Sequence, residues 1–134
     1  MFCYGDASEV LRLNLDNFHW DKMAYDVGSG VHGTLKYSGI TSLFDGRMIM
    51  CGGSLASTGD ATNTVYEAAS AKANKFVRKK SMLHRRYAHV CCNLNGYVYA
   101  LGGFDNRDVD GVPANTLDHC ERYSIHENKW IECS

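Results

Sequence analysis

Two stretches of the chain share one hydrophobic pattern. Residues 46–54 read GRMIMCGGS and residues 96–104 read GYVYALGGF. Each is a glycine, five mostly apolar residues, and a glycine pair. After Arg47 neither run alternates between polar and apolar positions, so each is expected to be a strand buried on both faces. Asp45 precedes the first glycine of one copy and Asn95 that of the other. Asp-Gly and Asn-Gly between apolar runs predict tight hairpin turns, because both residues tolerate positive φ. Two hairpins are therefore predicted, with strand 40–43 turning into 47–51 and strand 90–93 turning into 97–101.

The pattern extends beyond the hairpins. Setting Lys36 against Arg86 aligns the following 18 positions without a gap, so that Tyr37 meets Tyr87, Gly46 meets Gly96, Gly52 meets Gly102 and Gly53 meets Gly103. Downstream, three short segments each end in an aromatic residue. Trp20, Phe76 and Trp130 stand seven residues after Leu13, Ala69 and Tyr123, and are themselves 56 and 54 residues apart. MFCYGD at 1–6 then aligns with IMCGGS at 49–54, placing Cys3 on Cys51 and Gly5 on Gly53. This register predicts two complete four-stranded units, 34–81 and 82–134, preceded at 1–24 by the last three strands of another. Residues 65–82 are rich in Ala and Lys, which favour helix. The repeat demands strand, turn, strand there, and packing overrides propensity.

A repeat of about 50 residues with these motifs resembles the kelch repeat. The likeness rests on Trp20, Gly46, Gly52, Gly53, Phe76, Arg86, Gly96, Gly102, Gly103, Tyr123 and Trp130. The last copy is the most complete. The middle copy has Lys36 for the arginine, Ala69 for the tyrosine and Phe76 for the tryptophan, and the first has Leu13 for the tyrosine. The resemblance implies an all-β fold of four-stranded antiparallel blades around a central axis, a β-propeller. It also implies a protein-binding role, as a scaffold or as a substrate-recognition module such as a ubiquitin ligase adaptor. Propellers have about 4–8 blades, so this chain makes an incomplete ring. The chain is expected to be a segment of a longer protein whose remainder completes the ring; the alternative is completion by another chain.

Composition narrows the setting. Hydrophobic residues are 45% and charged residues 22%, the balance of a globular chain. A net charge of −1 argues against nucleic acid as a partner. No apolar run approaches the ~20 residues of a membrane helix, so no membrane partner is expected. No secretory leader pattern opens the chain, and no N-x-S/T sequon occurs. The six cysteines show no CxxC spacing, and four sit in apolar runs as small hydrophobes. A reducing, cytoplasmic setting is expected, with the cytoskeleton or cilium as specific sites.

Strand direction sorts the connections. In an up-and-down blade, the loop after the second strand and the linker after the fourth leave from one face. That face carries 21–33, 54–63, 79–84 and 105–115, mostly long and polar, whereas the other has tight turns. Function concentrates on long loops of a rigid scaffold. The expected partner contacts are therefore Lys79, Lys80, His84, Arg85, Asp105, Arg107 and Asp108. The D-x-D-G rhythm of 106–111 is read as an acidic loop, because Leu117 stands where a calcium loop needs its glutamate. His84, His89 and Cys91 lack an evident fourth zinc ligand and are read as packing. The basic stretch Lys75, Arg78, Lys79, Lys80, Arg85 and Arg86 is read as an outer strand and linker whose charges are solvated, with Arg86 used structurally by the blade; the alternative is a patch for an acidic peptide or phosphates. No nucleophile elbow, HExxH, phosphate loop or dinucleotide fingerprint occurs. No enzyme activity, catalytic residue, metal or cofactor is expected; the alternative is an enzyme of the galactose-oxidase-like kelch class.

Overall fold

The computed structural model of the chain describes residues 2–4, 9–24, 35–70, 76–106 and 115–133. These form thirteen strands: β1 Phe2–Tyr4, β2 Glu9–Leu13, β3 Trp20–Ala24, β4 Leu35–Lys36, β5 Gly39–Ser42, β6 Met48–Cys51, β7 Ser54–Leu55, β8 Val65–Ala68, β9 Val77–Arg78, β10 Val90–Leu94, β11 Tyr97–Leu101, β12 Cys120–Ser124 and β13 Lys129–Cys133. They assemble into sheets ordered β1-β2-β3, β5-β6-β8-β9 and β10-β11-β12-β13, with β4-β7 as a small ribbon. All named pairings are antiparallel. No helix occurs among the described residues. The architecture is the expected all-β set of four-stranded blades, and the sheets do not close into a ring.

The helix-prone segment 65–82 holds strands β8 and β9, as the repeat demanded. Its turn, 71–75, lies outside the described residues, and so do Gly5, the loop at 25–33, Lys75 and most of the 106–111 motif. Two details correct the expected loops. Residues 21–24 continue β3, and the 54–63 connection begins with β7, which pairs with β4. The last blade repeats that ledge as the bridges of Phe104 to Tyr87 and Thr116.

The two tight turns differ. Asn95 and Gly96 both have positive φ and form a two-residue loop between Leu94 and Tyr97. In the middle blade only Gly46 is left-handed, and the loop is Phe44, Asp45 and Gly46, closed by a bond from Leu43 N to Arg47 O of 2.7 Å. That is a type I turn with a glycine bulge. The Asp45 side chain replaces the missing second positive φ by accepting bonds from Arg47 N (3.1 Å) and Nε (2.8 Å).

Strand pairing also corrects two alignments. Trp130 stands opposite Tyr123, and Trp20 opposite Leu13, as the repeat predicts. In the middle blade the Glu67–Val77 pairing continues to place Ala68, not Ala69, opposite Phe76. The turn there is one residue longer, and spacing to the aromatic does not reveal this. In the first sheet Cys3 lies opposite Leu11 and Tyr4 opposite Val10, so Tyr4 rather than Cys3 takes the place of Cys51. A one-residue slip sends a side chain to the other face, so pairing decides these positions.

Each blade has a leading face, toward the blade before it, and a trailing face. The leading face of the middle blade carries Met48, Met50, Tyr66, Ala68 and Phe76, which pack with Leu35, Ile40 and Leu55. Its trailing face carries Ile49, Cys51 and Val65, which pack against Val98, Ala100, Tyr123 and Trp130 on the leading face of the last blade. So β6 is buried on both sides, as its unalternating pattern predicts. β11 is not, because nothing among the described residues covers the last blade's trailing face. Val90 is 60% and Leu94 55% exposed there. The same logic separates the tryptophans. Trp130 is 3% exposed against the middle blade, whereas Trp20 is 43% exposed, because no described blade precedes the first sheet.

Candidate functional site

The seam between the middle and last blades is knit at the end where the long connections emerge. The linker and the preceding blade's connection exchange backbone bonds: Met82 N to Asn63 O, Arg86 N to Thr62 O and Gly53 N to Arg86 O, at 2.8–3.0 Å. Asn63 Nδ2 adds a bond to Met82 O. Gly52 and Gly53 have positive φ, and a Cβ on Gly52 would strike the Arg86 carbonyl. The glycine pair is thus where the next blade's linker passes closely enough to bond.

Arg86 lies beneath this seam, fully buried with Glu121. Its Nη1 donates to the carbonyls of Gly102 (2.8 Å) and His119 (3.4 Å), and its Nη2 to Glu121 Oε1 (3.0 Å). The Glu121 carboxylate also accepts from Leu83 N (2.7 Å) and His84 N (3.2 Å). One ion pair therefore ties the linker to β12 and to the glycine-pair turn. By strand pairing, Tyr66 occupies the position of Glu121 in the middle blade, where Lys36 stands for Arg86. Both members of the pair are replaced together. Sequence shows the arginine's place in the repeat but not its acidic partner, which lies 35 residues away.

A second buried group bridges the same seam. Cys51 Sγ, at the end of β6, lies 2.8 Å from Cys91 Sγ on β10. His89 Nε2 lies 3.5 Å from the first sulfur and 3.7 Å from the second. The hydrogen bond from Cys51 holds the Cys91 thiol down to about 6, with His89 adding to the effect. The same bond, together with burial, pushes Cys51 well above the usual thiol range. Packing was expected for His89 and Cys91; Cys51 comes from another blade, and pairing its sulfur with theirs requires the blade-to-blade packing. His84 belongs to a different group, with Nε2 3.6 Å from Glu132 Oε1 and its ring 4.5 Å from that of His119.

The expected partner residues do not form one patch. Lys79 Nζ is 3.5 Å from Glu67 Oε1, whose other oxygen takes Arg47 Nη1 at 3.4 Å. Lys79 thus shares a carboxylate with a residue next to the Asp45–Gly46 turn. Lys80 uses its backbone, donating to Asn128 Oδ1 (3.4 Å) and accepting from Trp130 Nε1 (3.0 Å). His84 faces Glu132, Arg85 is exposed, and Asp105 is half-buried with its Oδ1 unpartnered among the described residues. Arg107 and Asp108 lie outside the described residues. At the opposite end a cavity of about 510 Å³ opens between the two hairpin turns, lined by Leu43, Phe44, Arg47, Asn93, Ile125 and His126 among others. The loop-length argument did not anticipate it, because it is made by turns of adjacent blades meeting.

Comparison with known proteins adds one finding. Residues 85–134 match the family model described as the kelch motif. These residues hold Arg86, the Gly96 turn, Gly102, Gly103, Tyr123 and Trp130, the part of the likeness that falls in the last copy. No curated protein matches the chain.

Proposed function

The chain is of the kelch-repeat family, and from that premise we propose that it is a protein-binding module rather than a catalyst, acting as a scaffold or substrate reader through the long connections. One observation carries this reading. The strand order puts the connections from β6 to β8 and from β11 to β12 at one end, where the linker into the last blade bonds to the base of each, Met82 and Arg86 to the first and Tyr87 to Phe104 of the second. Rigid bases with variable loops are the usual design of a recognition surface. The proposed contacts are His84, Arg85 and Asp105, and the proposal extends to Lys79, Lys80, Arg107 and Asp108. We further propose a reducing, cytoplasmic setting, with the cytoskeleton or cilium as specific sites. Further blades, from the remainder of the same polypeptide or from another chain, would cover the trailing face of the last blade and complete the ring.

The cavity between the hairpin turns supports a second reading, in which a partner's apolar side chain enters beside the 88% exposed Phe44. Photo-cross-linking residues placed at Arg85 and Thr116, or at Phe44 and His126, separate the two in cells expressing the complete protein. The first reading expects one identified protein to cross-link from Arg85 and Thr116, and to be lost with Arg85→Glu but kept with Phe44→Ser. Cross-links confined to Phe44 and His126 replace it with the second. A complete protein that cross-links from neither end overturns both.

A further inference from the structure

We propose that Cys51, His89 and Cys91 form a buried site for one thiophilic d10 metal ion, Cu(I) or Zn(II), clamped between two blades. The three ligand atoms converge from separate elements: Cys51 from the trailing face of the middle blade, His89 and Cys91 from the leading edge of the last. They all lie within 4.8 Å of one another. Two thiolates and an imidazole are the donor set that selects soft closed-shell ions over calcium or magnesium.

The two sulfur–nitrogen distances fit this use. With metal–sulfur bonds of about 2.3 Å and metal–nitrogen bonds of about 2.0–2.1 Å, a trigonal or tetrahedral ion sets sulfur and nitrogen roughly 3.6–3.8 Å apart. The imidazole already stands 3.5 and 3.7 Å from the two sulfurs. The sulfurs need to separate from 2.8 Å to about 3.8–4.0 Å to hold the ion between them. At 2.8 Å they are also well beyond the ~2.05 Å of a disulfide bond.

The surroundings favour an ion as well. Residue 39 is glycine, and a Cβ there would lie 2.6 Å from His89 Nε2 and 2.7 Å from Cys91 Sγ, so the bare backbone leaves the cluster its room. His89 is buried, and its Nδ1 has no partner among the described residues. The two sulfurs are therefore the polar anchors of this ring, and thiols hydrogen-bond weakly. A metal bond at Nε2 replaces those weak sulfur contacts and fixes the ring proton on Nδ1. The ion takes both sulfurs as thiolates, so any proton still held on either thiol leaves as it binds. Two thiolates neutralise Zn(II), and with Cu(I) the residual negative charge is favoured by Arg86, which acts on both cysteines.

The test uses the full chain, reduced and stripped of metal by a chelator, titrated without oxygen with Cu(I) or with Zn(II). One ion per chain is expected, with X-ray absorption showing two sulfur neighbours and one nitrogen. Three neighbours mark the Cu(I) form, and a fourth from solvent marks Zn(II). Bound ion should shield Cys51 and Cys91 from alkylation while Cys92, Cys120 and Cys133 still react, a readout on the unaltered protein that does not depend on any variant folding. Cys91→Ser and His89→Ala should abolish uptake, and Cys92→Ser and His84→Ala should keep it. The proposal is overturned if uptake survives Cys51→Ser with Cys91→Ser. It is equally overturned if the bound ion has no sulfur neighbours, as it would in the His84, His119 and Glu132 group, or if the thiols stay reactive and lose two hydrogens in air without taking up any ion.

Discussion

Trp130 and Trp20 occupy one position in the repeat but differ in what they touch. Trp130 packs on the middle blade, stacks near Tyr123 with ring centroids 5.2 Å apart, and donates to Lys80 O. Trp130→Ala should cost ~3–5 kcal/mol, the range of large-to-small core changes. Trp20→Ala in the same chain should cost about 1 kcal/mol or less, as a half-exposed site does; urea unfolding of the pair checks both. The Arg86–Glu121 pair offers a sharper test. Glu121→Gln leaves a buried guanidinium without its counter-charge, and ~3–5 kcal/mol should be lost. The double change Arg86→Met, Glu121→Leu removes the unpaired charge but leaves Leu83 N, His84 N and the Gly102 and His119 carbonyls without these partners, so it should recover only part of the loss. Asp45 titrates below the ordinary carboxylate value because Arg47 donates side-chain and backbone bonds to it. With the folded pKa below the unfolded one, its stabilising effect is present above the unfolded value and lost as pH falls through the folded value. An NMR titration should place the Asp45 midpoint below 3.8, and Arg47→Gln should raise it.

The glycines separate turn geometry from close approach. Gly96 and Gly103 both have positive φ. A Cβ at Gly96 meets nothing within 4 Å, so Gly96→Ala should cost roughly 1–2 kcal/mol from backbone conformation alone. A Cβ at Gly103 would sit 2.5 Å from Tyr87 O and 2.7 Å from His89 Cβ. Neither can retreat, because Tyr87 is bonded to Phe104 in both directions at 2.9 and 3.0 Å. Gly103→Ala should therefore leave little soluble folded protein while Gly96→Ala remains soluble, as a fractionation of expressed protein would show. Equal behaviour would mean that the second glycine of the pair is not a contact point between linker and turn.

For the molecule as a whole, the trailing face of the last blade is the main consequence of an open ring. Val90, Leu94, Tyr97 and Leu101 lie on the side of their sheet that the middle blade buries with Ile49, Cys51 and Val65. Exposed apolar faces of this kind associate. The 134-residue chain should show concentration-dependent association in analytical ultracentrifugation. Val90→Lys with Leu101→Lys should remove it without lowering the melting temperature. In a complete propeller the same two changes should lower it, since that face would then be covered. A chain that stays monomeric at high concentration would show that this face is not an interface.

The sequence by itself determined the repeat, the all-β class, the hairpins at Asp45–Gly46 and Asn95–Gly96, and the strand character of 65–82. Those features depend on local chemistry, on residues that tolerate positive φ and on runs of apolar side chains repeated at one spacing. It also marked Arg86, Gly103 and Trp130 as framework. It misaligned Ala69 and Cys3, because inserting one residue in a turn leaves composition unchanged yet reverses the face a strand presents. Only the packing of one blade on the next decided the rest. It buried Trp130 and left Trp20 half-exposed, gave Arg86 its distant carboxylate, tied Lys79 to the carboxylate that Arg47 uses, and brought Cys51 to His89 and Cys91. Such contacts join residues about 12 to 50 positions apart, and no local pattern records which faces of two separate sheets will meet.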